Sequence, residues 1–329
     1  MPADPRPLTA PVPDDFRAWH QVEAAALAHD RPGEPVPSQA AVEARLTAAG
    51  SRSRLVLWLV RGSGDEPVAT ATLRLFHEQR HLARFDVTVH PAHRRLGTGS
   101  RLLSTVTGAA TDAGCRSLIT EVTAGTAAEG FLATRDFLPA LRLTWLRLAL
   151  DEVPERVHRL PSAAHPGYRL TSWEGVVPDG LAESLVRAHQ GMADMPTGEV
   201  DIGEARWDVA RVREVAEAVA RRGERLLTVA ARCEADGSIA GYTELVLPAD
   251  AAPRAQQYST AVLPAHRGHG LGLWIKAEML RLVRERHPHL TEITTDNADD
   301  NRHMLAVNTA LGFRPLRRTV LYQLSPARR

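Results

Sequence analysis

Two short stretches carry residue types and spacings that can hold a phosphate. Val89-His90-Pro91-Ala92-His93-Arg94-Arg95-Leu96-Gly97-Thr98-Gly99 and Val262-Leu263-Pro264-Ala265-His266-Arg267-Gly268-His269-Gly270-Leu271-Gly272 lie 173 positions apart and share V-x-P-A-H-R-x-x-G-x-G. A strand that ends in a glycine turn opening a helix gathers unpaired backbone N–H groups and the positive end of the helix dipole at one point, and such a point binds phosphate. Gly268, Gly270 and Gly272 remove side chains where a pyrophosphate must approach the backbone, and Arg267 adds charge at the rim. Gly97 and Gly99, beside Arg94 and Arg95, do the same in the first copy.

One such string in an arginine-rich chain is weak, because a glycine turn is often only a turn. Two copies in matching contexts are not readily accidental. Neither loop meets the G-x-G-x-x-G spacing of a dinucleotide fold, and no G-K-[ST] is present for a P-loop.

The elements that must position these loops repeat as well. A β-rich run (Leu55 to Val60; Leu226 to Ala231) and a second (Val68 to Leu75; Ile239 to Leu247) precede the strand that enters each loop. After the glycines come residues at helical spacing, Leu102, Leu103, Val106 and Ala110 in one copy and Ile275, Met279, Leu282 and Val283 in the other. A strand follows (Leu118 to Val122; Glu292 to Thr295), then a helix and a Phe-containing turn, Arg135-Asp136-Phe137 and Leu311-Gly312-Phe313. Residues 1–154 are expected to form one half and residues 168–329 the other. Between them 155–167, a stretch broken by Pro161 and Pro166, reads as a surface linker.

Composition fits two α/β domains: 329 residues, 44% of them apolar, suffice for two cores. A net charge of +1 gives no global field to gather nucleic acid or an anionic membrane, so any anion site is local. Lys276 is the only lysine, a bias that tempers every arginine argument. Two cysteines, Cys115 and Cys233, are too few for a disulfide framework or a zinc site; a reducing cytoplasm and no metal are expected. The opening Met1 to Asp15 is proline- and acid-rich rather than basic then apolar, and no apolar run reaches about 18 residues, so neither export nor membrane insertion is expected.

V-x-P-x-x-R-G-x-G-x-G resembles the acetyl-CoA pyrophosphate loop of GNAT acetyltransferases. Asp296 to Asn301, Met304, Asn308 and Leu311-Gly312-Phe313 resemble that superfamily's closing helix and turn. The likeness covers most of Arg169 to Leu324 and, more loosely, Arg52 to Leu150, a layout similar to actinobacterial two-domain GNATs in which often one half is active. It implies two tandem GNAT folds with mixed sheets and the cofactor acetyl-CoA. The implied acceptor is a primary amine on a small molecule or a peptide amino terminus, attacked directly in a ternary complex.

The resemblance also implies roles. Pantetheine would pair with the strand Tyr258 to Leu263, with the Val262 N–H offered to the thioester oxygen. Arg267, Gly268, His269, Gly270, Leu271 and Gly272 would hold the pyrophosphate, and Val89, Arg94, Arg95, Gly97 and Gly99 are the first copy's counterparts. An ammonium must lose its proton before attack. Glu244, on the neighbouring strand, is the candidate base, or else a solvated residue on an outer strand face; Asp86 is the first half's candidate.

Many GNATs place an acidic tyrosine seven residues after the closing helix's asparagine. From Asn301 that position is Asn308, whose amide can hydrogen-bond to sulfur but cannot act as an acid. The first half has Leu132 there and no asparagine, so the second half is expected to be catalytic and the first degenerate or structural. The acceptor is expected against His189 to Arg206, a loop with Asp194, Glu199 and Asp201, and against Trp207, Tyr242 and Tyr258. An acetyl-CoA-binding regulator without turnover and a nucleotide-binding protein of another class are the alternatives.

Overall fold

The computed structural model describes residues 5–48, 52–191, 198–201, 206–249 and 252–325. The chain divides into two compact units: Met1–Leu141 with Gly198–Gly203 and Thr319–Arg329, and Arg142–Thr197 with Glu204–Arg318. Among the described residues no helix is long and apolar enough to cross a membrane.

In the first unit, α1 (Pro13–Asp30) and α2 (Gln39–Thr47) precede the antiparallel strands β1 (Ser53–Arg61), β2 (Pro67–Phe76) and β3 (Leu82–Val89). After β3 the chain crosses over through α3 (Thr98–Asp112) to β4 (Ser117–Thr123), which pairs in parallel with β3. The short α4 (Ala127–Ala133) follows. Leu57 of β1 packs with Phe16 and Trp19 of α1 and Val42 and Leu46 of α2 in one cluster, while Leu73 and Phe85 on the strands pack with Leu102 and Val106 of α3 and with Phe137 in another. The sheet is completed by the C-terminal part of β11 (Arg314–Leu324), antiparallel to β4 from Thr319↔Thr123 to Leu324↔Leu118.

The second unit repeats this plan. After β5 (Leu138–Ala149) and α5 (Glu155–Arg159) come β6 (Tyr168–Glu174), α6 (Asp179–Gln190) and α7 (Val209–Arg221). Strands β7 (Arg225–Cys233), β8 (Ile239–Leu247) and β9 (Arg254–Val262) extend β6 as an antiparallel sheet. A crossover through α8 (Leu271–Arg286) leads to β10 (Glu292–Ala298), then α9 (Arg302–Leu311). β10 lies parallel to β9 and antiparallel to β5, from Glu292↔Ala149 to Ala298↔Leu143. The strand after each closing helix thus pairs outside its own repeat: β5 in the second unit, β11 in the first.

β8 is buried at every position, as a central strand covered on both faces must be. Ile275, Met279 and Val283 of α8 fill one cluster with Leu227, Leu245 and Leu247, while Leu181, Leu185 and Val186 of α6 fill another with Tyr242. Full burial of each such aliphatic side chain contributes about 1.5–3 kcal/mol. The segment expected as a surface linker differs: α5 and a 3-10 turn at Leu160–Ser162 are ordered there, and Val157 is 1% exposed in the α8 core. One helical turn is too short to show a period between prolines.

Candidate active site

The glycine loops have one construction. Pro264–His266 forms a 3-10 turn after β9, Gly268 (φ +84°) and Gly270 (φ +73°) take left-handed conformations, and Gly270 is the N-cap of α8 with no side-chain cap. Its first-turn amides therefore remain available to an anion. A Cβ on Gly268 would meet nothing within 4 Å, and one on Gly270 only His165 Nε2 at 3.8 Å, so the cradle is open where a pyrophosphate fits. Leu271 is buried beneath the loop, His269 is exposed on it, and Arg267 Nε donates to the Val262 carbonyl at 3.1 Å.

In the first unit Gly97 (φ +81°) caps α3 in the same way, and Arg94 Nε donates to the Val89 carbonyl at 3.1 Å. Arg94 is clamped by Asp30 through two bonds of 2.7 Å, and Arg95 adopts φ +67° at the place of Gly268. A Cβ on Gly99 would meet Val89 and the Phe131 ring at 3.5 and 3.7 Å; on Gly272 it would meet Val262 alone, at 3.8 Å.

β9 and β10 are in register only over Glu292↔Arg254, Ile293↔Ala255 and Thr294↔Gln256, and beyond these pairs they separate. Leu263 N donates to Ala240 O at 2.9 Å, so strand alternation turns the Val262 N–H the other way, to the edge β10 has left. The β8–β9 register shifts between Thr243 and Leu245, so that Tyr258 and Ser259 together oppose Glu244. Such a bulge sharpens local twist and re-aims side chains. In the first unit β3 and β4 part in the same manner, but β2–β3 runs without a shift.

Glu244 is not a solvated outer-face residue: it is 3% exposed. Its Oε1 lies 3.6 Å from Nε2 of His189, in the last turn of α6. His189 Nδ1 is 2.7 Å from the Tyr242 hydroxyl, and the imidazole stacks on Trp207 with centroids 3.9 Å apart. Burial, then the charge of Glu244, pushes the Tyr242 phenol well above its ordinary pKa, opposed by a hydrogen bond from Ser259. Counting from Val89 and Val262, Thr72 holds the first unit's counterpart of Glu244, and its hydroxyl donates to the exposed Asp86 at 3.2 Å.

On α9, Asn301 caps the helix by accepting from Met304 N at 3.2 Å, which occupies its amide oxygen. Asn308 is fully buried; its Nδ2 donates to Asn297 Oδ1 at 2.6 Å, and its Oδ1 finds no partner among the described residues. Leu132, at the matching place on α4, is 2% exposed and wholly apolar.

The expected acceptor contacts fare unevenly. Asp194 lies outside the described residues. Glu199 and Asp201 belong to the first unit, where Asp201 sits 3.5 Å from His81. Tyr242 is fully buried and lends its hydroxyl to His189 rather than facing a cleft, because β8 is covered on both sides. Tyr258 is 37% exposed and accepts from Arg222 at 3.3 Å. His189 is the residue sequence reasoning does not single out for Glu244, and Trp207, expected along the cleft, stacks on its ring. The one signal was a histidine closing a helix whose buried face is Leu181, Leu185 and Ala188. Among the described residues no cluster of His, Cys, Asp and Glu could hold a metal ion.

Comparisons with known proteins identify the family and the fold. The acetyltransferase (GNAT) family model matches residues 18–137 and again 193–313. A tandem GNAT protein from the clavulanic acid biosynthesis pathway, solved without acetyl-CoA, is similar at 28% identity and a TM-score of 0.80, over 97% of each chain. A GCN5-related N-acetyltransferase from Sphaerobacter thermophilus shares the fold, with a TM-score of 0.75 at 18% identity over 99% of this chain and 96% of that one. Curated protein sequences give no match.

Proposed function

We propose, on the premise that the chain belongs to the acetyltransferase (GNAT) family, that its second unit transfers an acetyl group from acetyl-CoA to a primary amine. The amine sits on a small molecule or a peptide amino terminus and attacks directly within a ternary complex. The observation that carries this is one continuous feature: β9 parts from β10, frees the Val262 N–H, and runs into the Gly268–Gly270 cradle at the head of α8.

Acetyl-CoA supplies the acyl thioester. Gly268, His269, Gly270, Leu271 and Gly272 hold its pyrophosphate with Arg267 at the rim, and the edge of β9 receives the pantetheine. The Val262 N–H is aimed at the thioester oxygen, where a fixed donor is worth roughly 3 kcal/mol in the transition state. Glu244 takes the proton of the incoming ammonium. Asn308 has an unpartnered amide oxygen; were it and Asn297 both turned about their last bonds, their mutual bond would be kept with its direction reversed and the Asn308 amide would present N–H to the sulfur, which at a thiol pKa of about 8.5 departs as thiolate. The first unit has Thr72 and Leu132 at the base and Asn308 positions and serves as a structural partner. We place the halves at 1–154 and 168–329 for the repeat itself, and the protein, whose two cysteines are free, in the cytoplasm.

The test is a calorimetric titration with acetyl-CoA, paired with thiol release across a library of primary amines. Saturable binding and amine-dependent thiol release are expected. Binding without release by any amine would leave an acetyl-CoA sensor, and absence of binding would overturn the reading.

A further inference from the structure

Glu244 is 3% exposed, and a buried carboxylate persists as an anion only beside a group that compensates it. On the α6 side that group is His189, 2% exposed, whose ring is held from three directions. α6 carries its backbone, the Trp207 ring covers one face at 3.9 Å and 19°, and the Tyr242 hydroxyl meets Nδ1 at 2.7 Å. The Tyr242 phenol keeps its proton, since burial and the neighbouring carboxylate both disfavour phenolate. That proton is directed to Nδ1 of His189, 2.7 Å from the hydroxyl. The imidazole's own hydrogen then lies on Nε2, facing Glu244 Oε1 at 3.6 Å.

We propose that His189 is a positioning residue for Glu244, the middle member of a buried Tyr242–His189–Glu244 array that holds one carboxylate oxygen and keeps the other free to accept the ammonium proton. The inference rests on Glu244 being the base. At 3.6 Å the contact between the imidazole N–H and the carboxylate is a dipole contact rather than a formed hydrogen bond, and it shortens when the substrate's charge draws the carboxylate into place. Nothing in this array changes oxidation or bonding: the proton passes from the ammonium to Glu244 and leaves by exchange with solvent.

The other ionisable groups around the pair do not replace His189. Tyr258 on β9 feels the charge of Glu244 but is tied to Arg222 with Glu224 close by, and Arg211 lies over the far ring, Trp207, at 5.0 Å. Removing His189 therefore leaves Glu244 with a stronger tendency to bind a proton, and a protonated carboxyl cannot act as base. The fingerprint is a displaced acid limb in the pH profile, which a purely structural role would not produce.

The experiment uses the full chain and the best acceptor amine. His189→Phe keeps an aromatic ring on Trp207 and removes both ring nitrogens. It is expected to lower kcat roughly 10- to 100-fold at pH 7 while the KM for acetyl-CoA stays within about twofold. The acid limb of kcat/KM should move up by about one pH unit or more. His189→Gln, which restores an N–H donor, should bring the limb part of the way back, and Tyr242→Phe should move it in the same direction by less. An acid limb unmoved in folded His189→Phe overturns the proposal. Should that variant fail to fold, unmoved limbs in His189→Gln and Tyr242→Phe do the same. Glu244→Gln separates the failures. A rate loss there with no shift in the His189 variants sinks only the positioning role, while full activity of Glu244→Gln sinks the base and the array together.

Discussion

Gly270→Ala puts one methyl group at the head of α8, and its consequences for folding and for binding can be worked separately. At φ +73° the residue sits in the left-handed region, which costs an L-residue roughly 1–2 kcal/mol. The new Cβ meets only His165 Nε2, at 3.8 Å, an ordinary contact, so no clash adds to that strain. For a unit of this size the loss lowers the melting temperature by about 2–8 °C, at about 2–4 °C per kcal/mol, and the fold survives. Binding suffers independently, because the methyl stands where the pyrophosphate approaches and the strained backbone turns its amides away. One lost hydrogen bond to a charged group, at roughly 1.5–3 kcal/mol, weakens the acetyl-CoA Kd roughly 10- to 150-fold. Titration calorimetry reads the affinity and scanning fluorimetry the stability. A melting temperature that falls as stated with an unchanged Kd would refute the assignment of this loop.

Gly97→Ala should lower the melting temperature similarly, since φ is +81° with nothing within 4 Å of the new Cβ, while kcat/KM holds within about twofold. Equal loss of turnover would show that the first unit does chemistry too. Arg95→Gly removes a left-handed arginine (φ +67°) and should stabilise the protein by up to about 1 kcal/mol; urea denaturation checks it, and a loss of stability would contradict the strain argument. Burial lowers the Lys276 pKa from 10.5 to about 7. Between those values the unfolded chain binds the extra proton, so the folding penalty is full below pH 7 and is relieved as pH rises to 10.5, by up to about 1.4 kcal/mol per pH unit. Lys276→Met should remove that rise and be the more stable protein at pH 7; a wild-type slope in the variant would show that other groups govern it.

Much of this was open to reading in the sequence because it is local. The duplicated glycine loop needs left-handed backbone at fixed offsets, and Gly97, Gly268 and Gly270 advertise it. The buried apolar run of β8 and the period of α8 follow from burial on both faces of a sheet and one face of a helix. What stayed hidden depends on partners far along the chain. The pattern of β5 or β11 says strand but not which strand it pairs with, so the exchange of closing strands has no sequence signature. Alternation left the environment of Glu244 undecided, since covering that face depends on α6 and Trp207, and His189 reaches the carboxylate across 55 residues of sequence. Tyr242 read as a cleft aromatic for the same reason, although its hydroxyl ends on His189 inside the unit.

Kinetics of Glu244→Gln against pH test the central claim most directly. The substitution preserves shape and removes the basic oxygen, so kcat/KM at neutral pH should fall about 10²–10⁴-fold with near-normal acetyl-CoA binding. An alkylamine of pKa about 10 is free in only about one molecule in a thousand near pH 7, and that fraction grows about tenfold per pH unit. The deficit of the variant should therefore shrink steadily as pH rises toward 10, where the acceptor arrives already deprotonated. Wild-type kcat/KM at neutral pH, or a deficit that stays constant across the range, would contradict Glu244 as the base and with it this account of how the second unit works.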